Sequence, residues 1–138
     1  MRGRLRMVRF LLVVSAIFAS GASFAEELKC LVERKTICGP SGCKISAPLP
    51  GERIIVSVTE RTYRICDNTN GCQKLELDAA YPSGIFWVYE FNGFNVLKAQ
   101  TQEVTDNLDL KPLARWPFME FRHSFLTAIL SWGECSPN

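Results

Sequence analysis

The sequence contains very little of the chemistry that catalysis and metal binding require. His123 is the only histidine, so a Ser-His-Asp arrangement would have to use it, and no nucleophile motif flanks it. The chain has no phosphate-binding loop, no dinucleotide fingerprint and no Cys-x-x-Cys pair of the kind found in zinc knuckles and thioredoxin-like sites. We therefore predict a protein that is not an enzyme, with no catalytic residues, no metal ligands and no cofactor.

Long hydrophobic runs are also absent, apart from one near the N-terminus. That run, Phe10–Phe18, is about nine residues long, whereas a transmembrane helix needs about twenty. It follows a head with four arginines and precedes Ser23-Phe24-Ala25, which is the layout of a secretory signal peptide. We predict a signal peptide over residues 1–25 with cleavage after Ala25, one domain over residues 26–138, a periplasmic location and no stable membrane insertion.

An excess of positive charge is missing from the predicted mature domain. The whole chain has a net charge of +2, but four of its sixteen basic residues are the arginines of the signal. Twelve basic residues remain against fourteen acidic ones, so the domain has a net charge of −2. This balance gives no support for a nucleic-acid partner.

The domain does have six cysteines, and an oxidising compartment favours their pairing as disulfides. Many pairings are possible. The spacing favours two short links that each close a turn and one long link between the first and last strands: Cys38 with Cys43, Cys66 with Cys72, and Cys30 with Cys135. A competing pairing joins the first short loop to the second. A zinc site is disfavoured because neither close pair has zinc-knuckle spacing.

Two β-hairpins are the clearest local structures in the sequence. Alternating apolar residues predict one hairpin from Arg53–Val58 and Thr62–Cys66, with a turn that lacks glycine. A second is predicted from Gly84–Phe91 and Phe94–Ala99, because Asn92-Gly93 between them suits a type I′ turn.

The other segments are predicted as strands or connections of lower regularity. Strand character is expected in Leu28–Ile37, in Gln73–Leu77 as a short edge strand, in Phe118–Arg122 and in Phe125–Trp132, while helical spacing also fits Phe121–Leu130. Gln100–Arg115 is polar and is predicted as a long excursion with at most one short strand or turn of helix. The pattern as a whole predicts an all-β fold, a small antiparallel meander barrel or sandwich stabilised by disulfides.

The cysteine framework and its neighbouring segments carry a family resemblance. Its motifs are Tyr63-Arg64-Ile65-Cys66-Asp67 with a following Gly71-Cys72, then Ser83-Gly84-Ile85-Phe86, and finally Leu130-Ser131-Trp132-Gly133-Glu134-Cys135. The mature chain resembles a family of small, uncharacterised exported proteins of alpha-class proteobacteria. The resemblance implies a periplasmic location and brings no catalytic residues with it.

A weaker likeness is to the small periplasmic β-barrels that inhibit c-type lysozymes. Ser83-Gly84 loosely matches a Ser-Gly segment of those proteins, but Lys98 is followed by Ala99 where their contact loop has glycine. The likeness implies inhibition of a cell-wall lytic enzyme as an alternative function.

The aromatic residues are the remaining signal, and they cluster on the second hairpin and near the C-terminus. Most are predicted to be core, and a few to line a barrel mouth or a contact patch. Ser83, Trp87 and Lys98 are the candidate contact residues. We predict a non-enzymatic binding or envelope-associated role, with an unknown protein or a small apolar ligand of the periplasm as partner.

Overall fold

The computed structural model describes residues 26–138, which form an all-β domain of eleven strands. The strands are β1 (Glu27–Gly39), β2 (Gly42–Ser46), β3 (Arg53–Ser57), β4 (Thr62–Asp67), β5 (Gly71–Ser83), β6 (Phe86–Phe91), β7 (Asn95–Gln100), β8 (Gln102–Val104), β9 (Leu110–Pro112), β10 (Trp116–Ser124) and β11 (Thr127–Pro137). Residues 26–138 contain no helix with the length and apolarity that crossing a membrane requires. The predicted signal peptide, residues 1–25, lies outside the described residues.

Eight of these strands close into an antiparallel barrel, in the order β1-β3-β4-β5-β6-β7-β10-β11. Strands that follow each other along the barrel are neighbours in space, and β11 returns to pair with β1 from Leu28↔Pro137 to Cys38↔Ala128. Closure leaves the wall without free sheet edges. The predicted disulfide-stabilised antiparallel meander is confirmed, and it is a barrel rather than a sandwich.

Both predicted hairpins are present as β3–β4 and β6–β7. Asn92 and Gly93 turn the second hairpin with φ angles of 47° and 87°, the left-handed values that a type I′ turn needs. The first hairpin turns without glycine, and Arg61 takes the left-handed conformation there, with a φ angle of 53°.

Three short strands lie outside the barrel wall. β2 pairs with the C-terminal part of β1, from Lys35 to Gly39, and β8 pairs with β9 as a separate two-stranded sheet. The sequence predicted at most one short strand between Gln100 and Arg115, and this is wrong. The small hairpin is almost fully exposed, so its strands lack the apolar face that would indicate them in the sequence.

β5 differs most from its prediction. The sequence predicted a short edge strand over Gln73–Leu77, but β5 continues to Ser83 and lies between β4 and β6. A bulge between Leu77 and Ala79 breaks the alternation of inward and outward residues. The alternation of buried and exposed residues in the first half of β5 therefore does not continue into the second half, so the sequence does not indicate one long strand.

The sequence prediction for the C-terminal segment was ambiguous between strand and helix, and the structure shows a β-hairpin there. β10 and β11 are paired from Trp116↔Cys135 to Ser124↔Thr127, so the helical alternative for Phe121–Leu130 is wrong. Phe125 and Leu126 were predicted within the last strand, but they form its turn.

Three disulfides join directly opposed residues of neighbouring strands. Cys30 is bonded to Cys135 across the β1–β11 closure, Cys38 to Cys43 across β1–β2, and Cys66 to Cys72 across β4–β5. This is the pairing that the cysteine spacing favoured. The long link lies in the core, where Cys30 and Cys135 are both fully buried.

Gly133 allows the barrel to close beside a bulge in β1. The pairing of β1 with β11 shifts between Val32 and Arg34, and Gly133 lies opposite Val32. A Cβ atom at Gly133 would lie 1.9 Å from the Leu31 carbonyl oxygen and 2.9 Å from the Phe118 ring. Only glycine fits this close approach of the first and last strands.

Candidate functional site

The barrel interior has an apolar end and a polar end. The apolar end is filled by Leu28, Val56, Trp87, Tyr89, Ala99, Trp116 and Phe118 around the buried Cys30–Cys135 disulfide. Polar side chains are buried towards the other end, and they are Lys35, Glu52, Asn95, Glu120 and Ser131. Arg122 extends this set, with 18% of its side chain exposed. Burying several charged side chains is unfavourable unless each has an opposite charge or a hydrogen-bond partner, so we describe the cluster through these partners.

Strand geometry places these charges inside. Trp116, Phe118, Glu120 and Arg122 alternate along β10 and therefore share its inward face. In β1 the inward residues before the bulge are apolar, and the register shift after Val32 brings Lys35 inward.

Lys35 and Glu52 form a buried ion pair. Lys35 Nζ donates hydrogen bonds to both Glu52 carboxylate oxygens, at 2.9 and 2.7 Å. The Leu49 backbone N–H donates to Glu52 Oε2 at 2.8 Å. Each charge thus has an opposite charge and directed hydrogen bonds, which is what makes burial of such a pair tolerable.

Tyr63, Glu120 and Arg122 form the second part of the cluster. The Tyr63 hydroxyl donates to Glu120 Oε1 at 2.7 Å, and Arg122 Nε lies 3.0 Å from the same oxygen. Burial, together with the negative charge of Glu120, raises the pKa of Tyr63 well above its usual 10.0. The Tyr63 hydroxyl therefore stays protonated and serves as a fixed donor to the carboxylate.

The Lys35–Glu52 pair and the Arg122–Glu120 pair each have no net charge, and Arg122 connects them. Arg122 Nη2 lies 3.9 Å from Glu52 Oε1, so one guanidinium links both carboxylates. Lys35 and Arg122 together neutralise Glu52 and Glu120. Three buried atoms in this region have no hydrogen-bond partner within residues 26–138: Arg122 Nε, and Glu120 Oε2 and Ser131 Oγ, which belong to directly opposed residues of β10 and β11.

Above Arg122 the barrel opens into a cavity of 190 Å³, which we call the mouth. It is lined by Ile65, Gln73, Leu75, Asn92, Asn95, Arg122, His123, Ser124, Thr127 and Ile129. The lining thus combines aliphatic side chains with amides, hydroxyls, one imidazole and one guanidinium, and it contains no carboxylate. Concave sites that mix apolar walls with a few polar groups are the usual form of small-molecule sites.

Four polar side chains of the mouth make no hydrogen bond within residues 26–138. They are those of Gln73, Asn92, Arg122 and His123, and of these Arg122 is held by its ion pairs. Asn95 is committed instead, since its Oδ1 accepts a 2.8 Å bond from the His123 backbone N–H. The mouth therefore combines the fixed Asn95 side chain with polar side chains that have unused hydrogen-bonding capacity.

Exposed apolar residues lie at the turns of two hairpins, next in sequence to residues that line the mouth. Phe94 follows the β6–β7 turn and is 83% exposed, while Phe125 in the β10–β11 turn is 99% exposed, beside the exposed Leu126. The His123 ring is near those of Phe94 and Phe121, with ring centroids 6.1 and 5.9 Å away. We call Phe94, Phe125 and Leu126 the rim.

The contact residues predicted from the sequence do not form one surface. Ser83 and Lys98 are exposed on the outer face of β5–β7, where both border a shallow depression of 420 Å³. Trp87 faces the interior at the apolar end and is 7% exposed. It lines a separate cavity of 260 Å³ beneath the β8–β9 segment, together with Leu113 and Trp116.

Sequence reasoning missed the charged cluster and the mouth. The sequence did contain a signal for Glu120 and Arg122. They alternate in phase with the aromatic residues Trp116 and Phe118, so all four side chains had to point to the same side of the strand. Lys35 gave no such signal, since the bulge that turns it inward is invisible in the sequence. Residues 26–138 hold no group of three His, Cys, Asp or Glu side chains arranged to bind a metal ion.

Fold and site together define a closed eight-stranded antiparallel β-barrel with a balanced charge cluster beneath an open, polar mouth. No family model, no curated protein and no solved structure matches the chain. The family resemblance drawn from the cysteine framework therefore stays a prediction.

Proposed function

We propose that this chain is an exported, non-enzymatic binding protein of the periplasm, and that its ligand enters the mouth of the barrel. The observation that carries the proposal is Arg122. It is held by Glu120 and Glu52, has 18% of its side chain exposed, and lines an open cavity, although its guanidinium makes no hydrogen bond within residues 26–138. Arginine donors fixed in this way are suited to recognition of a ligand.

Stability alone gives little reason for the charge cluster. Replacing buried ion pairs by packed apolar residues is often neutral or stabilising, so burying four charges is not an efficient way to hold a barrel together. Such departures from an apolar interior are expected at functional sites. The cluster lies directly beneath the mouth, which supports a binding role for that end of the barrel.

A non-enzymatic role is supported by the surroundings of His123. Its ring is exposed, has the Phe94 and Phe121 rings as neighbours, and finds no carboxylate in the mouth lining to act with it. General acid–base catalysis needs a titrating group within hydrogen-bond reach of its substrate, usually oriented by a second group.

The periplasmic location is supported by two independent features. The N-terminal residues have the composition of a signal peptide, and the three disulfides are consistent with an oxidising compartment. The proposed partner is a small ligand of the periplasm. A polar mouth favours a ligand that makes hydrogen bonds, whereas the cavity beside Trp87 is the place for a small apolar one.

Inhibition of a lysozyme-like enzyme is the second candidate. It is favoured by Ser83 and Lys98, which border the same depression on the outer face of β5–β7. Purified protein should then inhibit a c-type lysozyme at micromolar concentration, and Ser83→Ala with Lys98→Ala should abolish the inhibition. Undiminished lysozyme activity at that concentration would remove this candidate.

Ligand-induced stabilisation tests the principal proposal, because a ligand that binds only the folded state raises the melting temperature. We expect the small-molecule fraction of a periplasmic extract to raise the melting temperature of the wild type. The rise should be lost in Gln73→Ala and in Arg122→Gln, and kept in the control Lys44→Gln, whose residue is exposed on β2 outside the barrel wall. The proposal fails if no rise occurs, or if the mouth variants show the same rise as the wild type.

A further inference from the structure

The free groups of the mouth both donate and accept hydrogen bonds. The amides of Gln73 and Asn92 each offer two donors and an acceptor oxygen, and Arg122 adds donors only. Ser124 and Thr127 share one hydrogen bond of 2.6 Å between their hydroxyls, which leaves each hydroxyl with further capacity. A matching ligand therefore carries several groups that are donors and acceptors at once, as hydroxyls are.

The charge balance beneath the mouth disfavours a charged ligand. Arg122 is already neutralised by Glu120, and Lys35 by Glu52, so an added anion would bring an uncompensated charge to a partly buried site. An ammonium group would find no carboxylate in the lining. Anions, cations and zwitterions such as free amino acids are all poorly matched to this site.

The walls of the mouth also require an apolar surface on the ligand. Ile65, Leu75 and Ile129 line the cavity between the polar groups, and the exposed rings of Phe94 and Phe125 lie in the hairpin turns beside it. A pyranose ring has this combination, since its hydroxyls project around the edge while its C–H groups form apolar faces that pack on aliphatic and aromatic side chains.

The volume of the mouth limits how large a ligand it can enclose. Its 190 Å³ is below the range of roughly 300–1,000 Å³ that drug-sized molecules occupy. One sugar ring, free or at the end of a longer glycan, is the appropriate scale, with any continuation passing over the rim.

We propose that the mouth binds a neutral, hydroxyl-rich group, namely a single sugar ring held at its edge by Gln73, Asn92 and Arg122. This inference rests on the proposed function, because it names the ligand class of the same site.

Isothermal titration calorimetry with pure compounds tests the ligand class. The probes are neutral sugars (glucose, galactose, mannose and N-acetylglucosamine), the charged sugars glucuronate and glucosamine, and the amphiphile decanoate. We expect at least one neutral sugar to bind with a dissociation constant of about 1 mM, as suits a ligand of so few atoms. The charged sugars should bind at least about tenfold more weakly, which corresponds to the loss of one well-made hydrogen bond or more.

Variants place the sugar in the mouth. Arg122→Gln should weaken binding about tenfold or more. Gln73→Ala alters a residue that makes no side-chain hydrogen bond, and Asn92→Gly preserves the turn, so both keep the test informative if Arg122→Gln folds poorly. Each should weaken binding severalfold, while Lys44→Gln, at an exposed position on β2 outside the barrel wall, should leave the affinity unchanged.

The outcomes separate this inference from the proposed function. Tighter binding of glucuronate, glucosamine or decanoate than of every neutral sugar overturns the ligand class, and so does neutral-sugar binding that the mouth variants leave intact. If no probe binds while the periplasmic fraction still stabilises the wild type through the mouth, the inference is wrong and the binding function stands. If neither has an effect, both are wrong.

Discussion

Tyr63 on β4 and Glu120 on β10 are joined across the barrel interior by a hydrogen bond of 2.7 Å between the tyrosine hydroxyl and Oε1 of the glutamate. It is the only hydrogen bond that a side chain gives to Glu120 within residues 26–138, and the other carboxylate oxygen has no partner there. The bond connects the apolar core, where the Tyr63 ring stacks on Phe91, to the charge cluster beneath the mouth.

Tyr63→Phe removes this donor without removing the ring. We expect a loss of about 1–3 kcal/mol in the free energy of unfolding at pH 7, because a buried carboxylate loses a hydrogen bond. Urea denaturation measures the loss. Tyr89→Phe is the matched control, since Tyr89 is equally buried but does not bond to a carboxylate, and it should change stability much less.

The same pair of variants has a defined pH dependence. The pKa of Tyr63 is raised in the folded state by burial and by Glu120, so the folded protein keeps a proton that the unfolded chain loses above about pH 10. The stability that Tyr63 contributes is therefore complete below that pH and is lost as pH rises through the folded-state pKa. Tyr63→Phe should flatten the alkaline loss, while in this variant Tyr89, whose pKa burial raises to about 12, still contributes its own. An unchanged alkaline slope would contradict the assignment.

Lys35→Met tests the buried ion pair. The substitution leaves the Glu52 carboxylate without its closest cation, and we expect a loss of about 3–5 kcal/mol. Arg115→Met breaks an exposed pair with Glu134 at 3.4 Å and should cost about 0–1 kcal/mol. Lys35→Met with Glu52→Leu should recover much of the loss. Chemical denaturation measures these losses. If Lys35→Met and Arg115→Met lowered the free energy of unfolding equally, the buried pair would contribute no more than the exposed one.

The three disulfides should contribute unequally. In the loop-entropy model the short links are each worth about 2 kcal/mol and the long Cys30–Cys135 link about 5 kcal/mol. Cys30→Ala with Cys135→Ala should therefore lower the melting temperature more than Cys38→Ala with Cys43→Ala, or Cys66→Ala with Cys72→Ala. A larger decrease for either short link would contradict the ranking.

Gly133→Ala should destabilise the closure of the barrel. Its Cβ would meet backbone at 1.9 Å, so β1 and β11 would have to move apart, at an expected cost of about 3 kcal/mol or more. Gly39→Ala is the control, because the nearest atom to a Cβ at Gly39 is 4.0 Å away. Thermal unfolding of both variants measures the difference, and similar melting temperatures would refute the packing argument.

Much of the fold is predictable because its strands obey simple local rules. The Asn92-Gly93 turn, the alternating β3–β4 hairpin and the cysteine spacing each depend on residues close in sequence. The prediction is wrong where the pattern is interrupted, as at the bulge after Leu77, or where an element has no buried face, as in β8 and β9.

The site was less predictable than the fold, since it depends on residues distant in sequence. Tyr63 and Glu120 are 57 positions apart, and Lys35 reaches Glu52 only because a bulge turns it inward. The sequence pointed instead to Ser83, Trp87 and Lys98, which lie on two different faces of the barrel wall. In the sequence of a single strand, a charged residue that faces the barrel interior is hard to distinguish from one that faces solvent.

A residue-resolved NMR titration tests the central claim, that the mouth is the binding site, most directly. Backbone and side-chain amide resonances of the ¹⁵N-labelled protein would be followed as the small-molecule periplasmic fraction, and then the neutral sugars, are added. We expect saturable shifts at Gln73, Asn92, Asn95 and Thr127, with the outer-face signals of Ser83 and Lys98 unmoved. Shifts confined to the outer face or to the Trp87 end, or none at all, would contradict it.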